Sequence, residues 1–137
     1  MRTLTTLFCA LALFVPAIRA AATDLKVTDS RGTEVTVTGA SIDYGGFLGS
    51  DKMEDGIRIQ QCDGTVMLKW ADVEALKVSK RDESVKPVRI EVEITLRGGK
   101  RASAALLRVG AMKLTGRTEL GDYSIDLDKV RAISPIR

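Results

Sequence analysis

The sequence predicts an all-β fold: two tandem five-stranded repeats packed together, or, as the alternative arrangement of the same strands, a single ten-stranded sandwich. Three observations carry the prediction. Short segments alternate apolar and polar residues with period two, one such segment recurs 57 positions later without a gap, and glycines stand between segments where turns are needed. Composition agrees, because 45% hydrophobic and 28% charged residues suit a packed core and argue against disorder.

The first 22 residues stand apart. Met1 and Arg2 form a short basic start, residues 4–15 are mostly apolar, and Ala20-Ala21-Ala22 supplies the A-x-A pattern of a cleavage site before Thr23. This reads as a secretory signal peptide and places the mature chain in the periplasm or outside the cell. The apolar run is shorter than the roughly 20 residues that span a bilayer, and no later stretch approaches that length, so no transmembrane segment is expected in the mature protein. Removing Arg2 and Arg19 lowers the formal charge from +3 to +1, which takes away the electrostatic basis for nucleic-acid binding. Removing Cys9 leaves Cys62 alone, so stability rests on packing without an internal disulfide.

The first repeat occupies residues 23–78. Leu25 and Val27 share one face of a first strand, Gly32 marks a turn, and a second strand runs over residues 34–42. Residues 44–56 show no strand period and read as a long loop, which the second repeat lacks. A third strand covers residues 57–61. From Gly64, the side chains of Val66, Leu68 and Trp70 fall on one face and Met67 and Lys69 on the other, which marks Trp70 as core. One helical turn over residues 71–74 and a short apolar strand over residues 75–78 complete the unit.

Residues 79–87 are polar, charged and closed by Pro87, so they read as a linker. The second repeat, residues 88–137, begins with Val92 and Ile94, which match Leu25 and Val27 at a spacing of 67, as Gly99 matches Gly32. Strands over residues 100–108 and 112–119 are joined at Gly110. From Gly121, Tyr123, Ile125 and Leu127 repeat the inward register of Val66, Leu68 and Trp70, followed by a helical turn over residues 128–131 and a strand over residues 132–134. A unit of about 50 residues without disulfide or metal is marginal alone, so the copies are expected to pack together or exchange strands into one cooperative domain.

Five short strands with one helical turn before the last resemble the SH3-like small barrel, and the pattern in residues 64–76 and 121–133 is similar to repeats of poorly characterised bacterial envelope proteins. The resemblance implies an exported binding or scaffolding module. The mature chain lacks the aromatic groove of proline-binding SH3 domains, having only Tyr44, Phe47, Trp70 and Tyr123.

The chemistry-bearing candidates are few. No histidine is present, which removes imidazole acid-base catalysis, Ser-His-Asp triads and histidine metal sites. In the 44–56 loop, Tyr44, Phe47 and Leu48 are the candidate apolar contact for a partner, with folding back over the open end of the barrel as the equal alternative. Asp122, Asp126 and Asp128 form a candidate acidic patch, with a solvated outward face as the simpler reading. Cys62 falls in outward register and is a candidate for an intermolecular disulfide and hence a homodimer. No cofactor or metal is expected, since the loop carboxylates lack the alternating oxygen ligands of a calcium site and no Gly-Lys-Ser/Thr phosphate loop occurs.

The functional expectation is an exported, non-enzymatic module that contacts an envelope protein or a cell-wall component. One alternative is a small histidine-free, carboxylate-dependent hydrolase, which needs Asp126 and Asp128 to meet Asp72 or Lys69 in one cleft. The other is a structural accessory subunit of an envelope assembly.

Overall fold

The computed structural model describes residues 23–45, 51–85, 88–106 and 112–136. Its strands are β1 (Leu25–Asp29), β2 (Glu34–Asp43), β3 (Lys52–Met53), β4 (Gly56–Gln61), β5 (Gly64–Lys69), β6 (Val73–Asp82), β7 (Arg89–Leu96), β8 (Arg101–Leu106), β9 (Lys113–Thr118), β10 (Gly121–Asp126) and β11 (Val130–Pro135). Single 3-10 turns, Trp70–Asp72 and Leu127–Lys129, precede β6 and β11. Strands hold 70% of the described residues and helix 6%, so an antiparallel sheet buries its apolar face by curling against itself. No helix among the described residues is long and apolar enough to cross a membrane.

The strand order is β10-β9-β2-β1-β11-β6-β7-β8-β4-β5, with β3 attached to β2. Pairing crosses between the two stretches of chain that share the repeated pattern. β1 pairs with β11 and β2 with β9, while β8 pairs with β4 and β7 with β6. Five strands of this path thus lie on each side of the β11–β6 contact, with β3 as a sixth beside β2, and there Ala132 faces Lys77 and Ile133 faces Leu76.

Corresponding positions adopt the same local geometry. In the β1–β2 turn, Asp29 N–H donates to Thr33 O at 3.0 Å and Gly32 N–H to Asp29 O at 3.0 Å; in the β7–β8 turn, Leu96 N–H donates to Lys100 O at 2.8 Å and Gly99 N–H to Leu96 O at 3.0 Å. Gly32 and Gly99 have φ of +85° and +89°, a conformation open to glycine at little cost. Each turn reaches the 3-10 turn of the other stretch, through Ser30 N–H to Lys129 O at 2.8 Å and Arg97 N–H to Asp72 O at 3.0 Å.

One core runs through both sides. Leu25, Val27, Val37, Ile42, Ile57, Trp70, Leu76, Val92, Ile94, Leu114, Leu127 and Ile133 are all at most 2% exposed and belong to one contiguous cluster. Full burial of side chains of this size contributes about 1.5–3 kcal/mol each, which is where a chain without an internal disulfide finds its stability. Trp70 and Leu127 open the two 3-10 turns, and both are buried, as the alternation from Gly64 and Gly121 requires.

Several boundaries differ from the sequence reading for identifiable reasons. Both helical turns start one residue earlier, because the buried Trp70 and Leu127 end the strand register and begin the turn. Residues 79–82 are not linker: β6 continues to Asp82 and pairs with Arg89, Ile90 and Glu91, since a solvated strand face accepts charged side chains freely. Within the 44–56 loop, Lys52 and Met53 form β3 opposite Asp43 and Ile42.

Candidate functional site

The loop after β2 is closed at its base by an assembly of three side chains. The backbone N–H of Tyr44 donates to Asp51 O at 2.9 Å, one step beyond the Asp43–Lys52 pair, so the hairpin ladder continues past β3. Arg58, projecting from β4, donates from Nη1 and Nη2 to Asp51 Oδ2 and Oδ1 at 2.9 and 2.6 Å. Its guanidinium also lies over the Tyr44 ring, 4.5 Å from the centroid. This is the bidentate fork and stacked plane that arginine supplies and lysine does not. The Tyr44 hydroxyl accepts the backbone N–H of Arg58, which completes the clamp.

Burial raises the Tyr44 phenol above its ordinary range; the backbone bond from Arg58 and the nearby guanidinium oppose this, and Asp51 adds to it. Tyr44 is 7% exposed and belongs to the core. Of the two sequence readings, Tyr44 therefore follows the inward one and not the partner contact: it packs in the core and pins the neck of the loop. Phe47 and Leu48 lie outside the described residues.

The three carboxylates of the candidate acidic patch do not share one face. Asp122, Ser124 and Asp126 alternate outward on β10 and are exposed, and Asp122 Oδ1 has Arg117 Nε at 3.8 Å. Asp128 leaves that row, because the 3-10 turn rotates it toward Arg81 Nη2, 3.7 Å from its Oδ2. The β11–β6 register puts Asp128 beside Arg81, whereas Asp72 lies at the other end of β6, roughly 25–30 Å away at strand rise. Asp128 therefore does not share a cleft with Asp72. Among the described residues, no group of three or more metal-ligating side chains gathers.

Cys62 is exposed, but through its place in a turn and not through strand register, because β4 ends at Gln61. It occupies the first position of the two-residue turn between Gln61 and Gly64 with φ of +54°, the only non-glycine residue described with positive φ. A side chain in that conformation is strained by about 1–2 kcal/mol.

The two sides of the sheet each open beside a β-hairpin, with different surfaces. Beside the β9–β10 hairpin, Glu34, Val35, Thr36, Thr118, Glu119 and Leu120 border a groove of about 340 Å³. Beside the β4–β5 hairpin lies an apolar cleft of about 160 Å³, formed chiefly by Ile59, Val66, Leu68, Leu96, Ala102 and Ala104. At the corresponding positions of the other side, Val35 and Val37 stand for Ala102 and Ala104, and Tyr123 for Val66. Those larger residues pack on or within the core. The cleft thus lies where the sequence has small side chains at spacings of 67 and 57 from large ones.

Sequence reasoning found the loop but missed the clamp, because nothing local links Asp51 to Arg58 and Tyr44. It also missed the cleft, although the size differences at spacings of 67 and 57 were a readable signal. Comparison with known proteins finds no family model, no curated protein and no solved structure that matches this chain.

Proposed function

We propose that this is an exported, non-enzymatic binding module built from two copies of an SH3-like small-barrel unit that have exchanged strands, and that it contacts an envelope protein through the loop after β2. The observation that carries the reading is the Asp51–Arg58–Tyr44 clamp. A loop that only connected two strands would need no buried aromatic ring and bidentate ion pair at its base, and the other copy makes the same connection with about ten residues fewer. Fixing the neck lowers the entropy lost when a loop binds a partner. The separation of Asp128 from Asp72 favours binding over carboxylate catalysis.

The test is capture of partners from crosslinked envelope extract by the tagged chain starting at Thr23, beside Phe47→Ala/Leu48→Ala and Arg58→Met variants. The reading expects one strong partner, lost with the double variant and weakened with Arg58→Met. Equal capture by all three forms would remove the loop from the interface, and capture of nothing but cell-wall sacculi would replace the protein partner with the cell-wall component.

A further inference from the structure

Among the described residues, the 160 Å³ cleft is open, apolar and unfilled by side chains, with polar side chains only at Gln61 and Ser103 of its border. A cavity of about 150 Å³ with apolar walls admits a group the size of benzene, so the space suits one branched aliphatic side chain. Such a side chain stands on the opposite side of the same molecule. Leu120, at the tip of the β9–β10 hairpin, is fully exposed at 101% of its reference area. An isolated exposed leucine is ordinary, but this one is paired with a matching charge pattern.

Glu119 flanks Leu120, is exposed, and has no ion-pair partner among the described residues. Arg101 begins β8 immediately before the cleft residue Ala102, with exposed Lys100 before it. Arg101 holds Glu93 only loosely at 3.5 Å, and Lys100 has no ion-pair partner among the described residues. At a spacing of 67, Arg101 corresponds to Glu34, which borders the groove beside Leu120. Glu34 is already held by Lys26 at 3.0 Å, so the opposite charges left open are Glu119 beside the protruding leucine and Lys100 beside the apolar cleft, with Arg101 next to it on Glu93.

We propose that the cleft is a socket for Leu120 of a second copy of this chain, with Glu119 of that copy set against Lys100 and Arg101. Cleft and hairpin are unlike patches on one molecule, so the contact closes reciprocally in a two-fold dimer or repeats head to tail. It is independent of the loop after β2 and leaves that loop free for another partner.

The experiment is sedimentation velocity of the chain from Thr23 onward, in reductant so that Cys62 disulfides do not contribute, at concentrations up to about 1 mM. Mass above that of the monomer should grow with concentration and fall as sodium chloride is raised. Leu120→Asp should weaken association about tenfold or more. So should Ala102→Val/Ala104→Val, which fills the cleft with the residues that stand at the corresponding positions of β2 and is compatible with the fold there. Mixing the two variants should restore a one-to-one complex, because one keeps its cleft and the other its leucine. A chain that stays monomeric throughout, or an oligomer indifferent to both variants, would overturn the proposal; circular dichroism of each variant separates lost contact from lost fold.

Discussion

Arg58 shows how one side chain joins segments that no sequence pattern connects. Its fork to Asp51 and its stacking on Tyr44 hold the base of the loop, with the Arg58 side chain about a third exposed. Partly solvated pairs of this kind contribute modestly, so Arg58→Met is expected to cost about 1 kcal/mol in urea unfolding, while limited proteolysis within residues 44–56 becomes markedly faster. The two tyrosines report on packing from separate places. Burial raises both phenols, with Asp29 adding to the effect at Tyr123. A phenol that titrates higher in the folded chain than in the unfolded chain adds stability that is complete below the unfolded midpoint near 10 and is lost as pH rises through the folded midpoints. Tyrosinate absorbance should therefore appear above pH 10 in the native chain and move back to about 10 in urea, and unfolding free energy should decline above pH 10. Normal midpoints in the native chain would mean that both rings are more hydrated than their burial implies.

At the level of elements, β2 changes partners along its length. Residues 34–37 pair with β1, and from Thr38, which faces Arg117, the strand pairs with β9, with a register shift before Ser41. Gly39 takes a φ of +61° inside that bulge, where the strand bends and its twist increases. β9 approaches the bend so closely that a Cβ on Gly116 would meet Val37 Cγ1, Thr38 O at 2.8 Å and Ala40 Cα at 3.3 Å. Backbone cannot retreat as a flexible side-chain end can, so Gly116→Ala should destabilise by about 3 kcal/mol or more, read as a lower urea midpoint at unchanged slope. These elements were legible to different degrees. The strands carrying Leu25, Val27, Val66, Leu68, Tyr123 and Ile125 were readable because alternation is local, and so were the helical turns, to within two residues. The extension of β6 through residues 79–82 was not, since its polar outward face has the composition of a linker. Of the candidate site, the loop was visible as a break in period, but the burial of Tyr44 depends on β4, which lies further along the chain.

For the whole molecule, the crossing of strands makes the two stretches interdependent. β1 and β2 find their neighbours in β11 and β9, and β7 and β8 find theirs in β6 and β4. Neither residues 23–85 nor residues 86–137 can complete its hydrogen-bond ladders alone, so each fragment is expected to lack a cooperative transition while an equimolar mixture regains the circular dichroism of the intact chain. Independent folding of either fragment would show that its strands can pair within one stretch. The single buried cluster leads to the same expectation of one unfolding transition for the intact chain. The sequence by itself determined the class of fold, the inward register of the strands carrying Leu25, Val27, Val66, Leu68, Tyr123 and Ile125, and the turns at Gly32 and Gly99, because alternation and glycine conformations are properties of a few neighbouring residues. Only the tertiary structure decided which strands pair, that Tyr44 faces inward, that Asp128 turns to Arg81, and that small residues on β8 leave a cleft. Each of these depends on contacts between residues far apart in the chain, whose partners are chosen when the sheet curls and its apolar face is withdrawn from water.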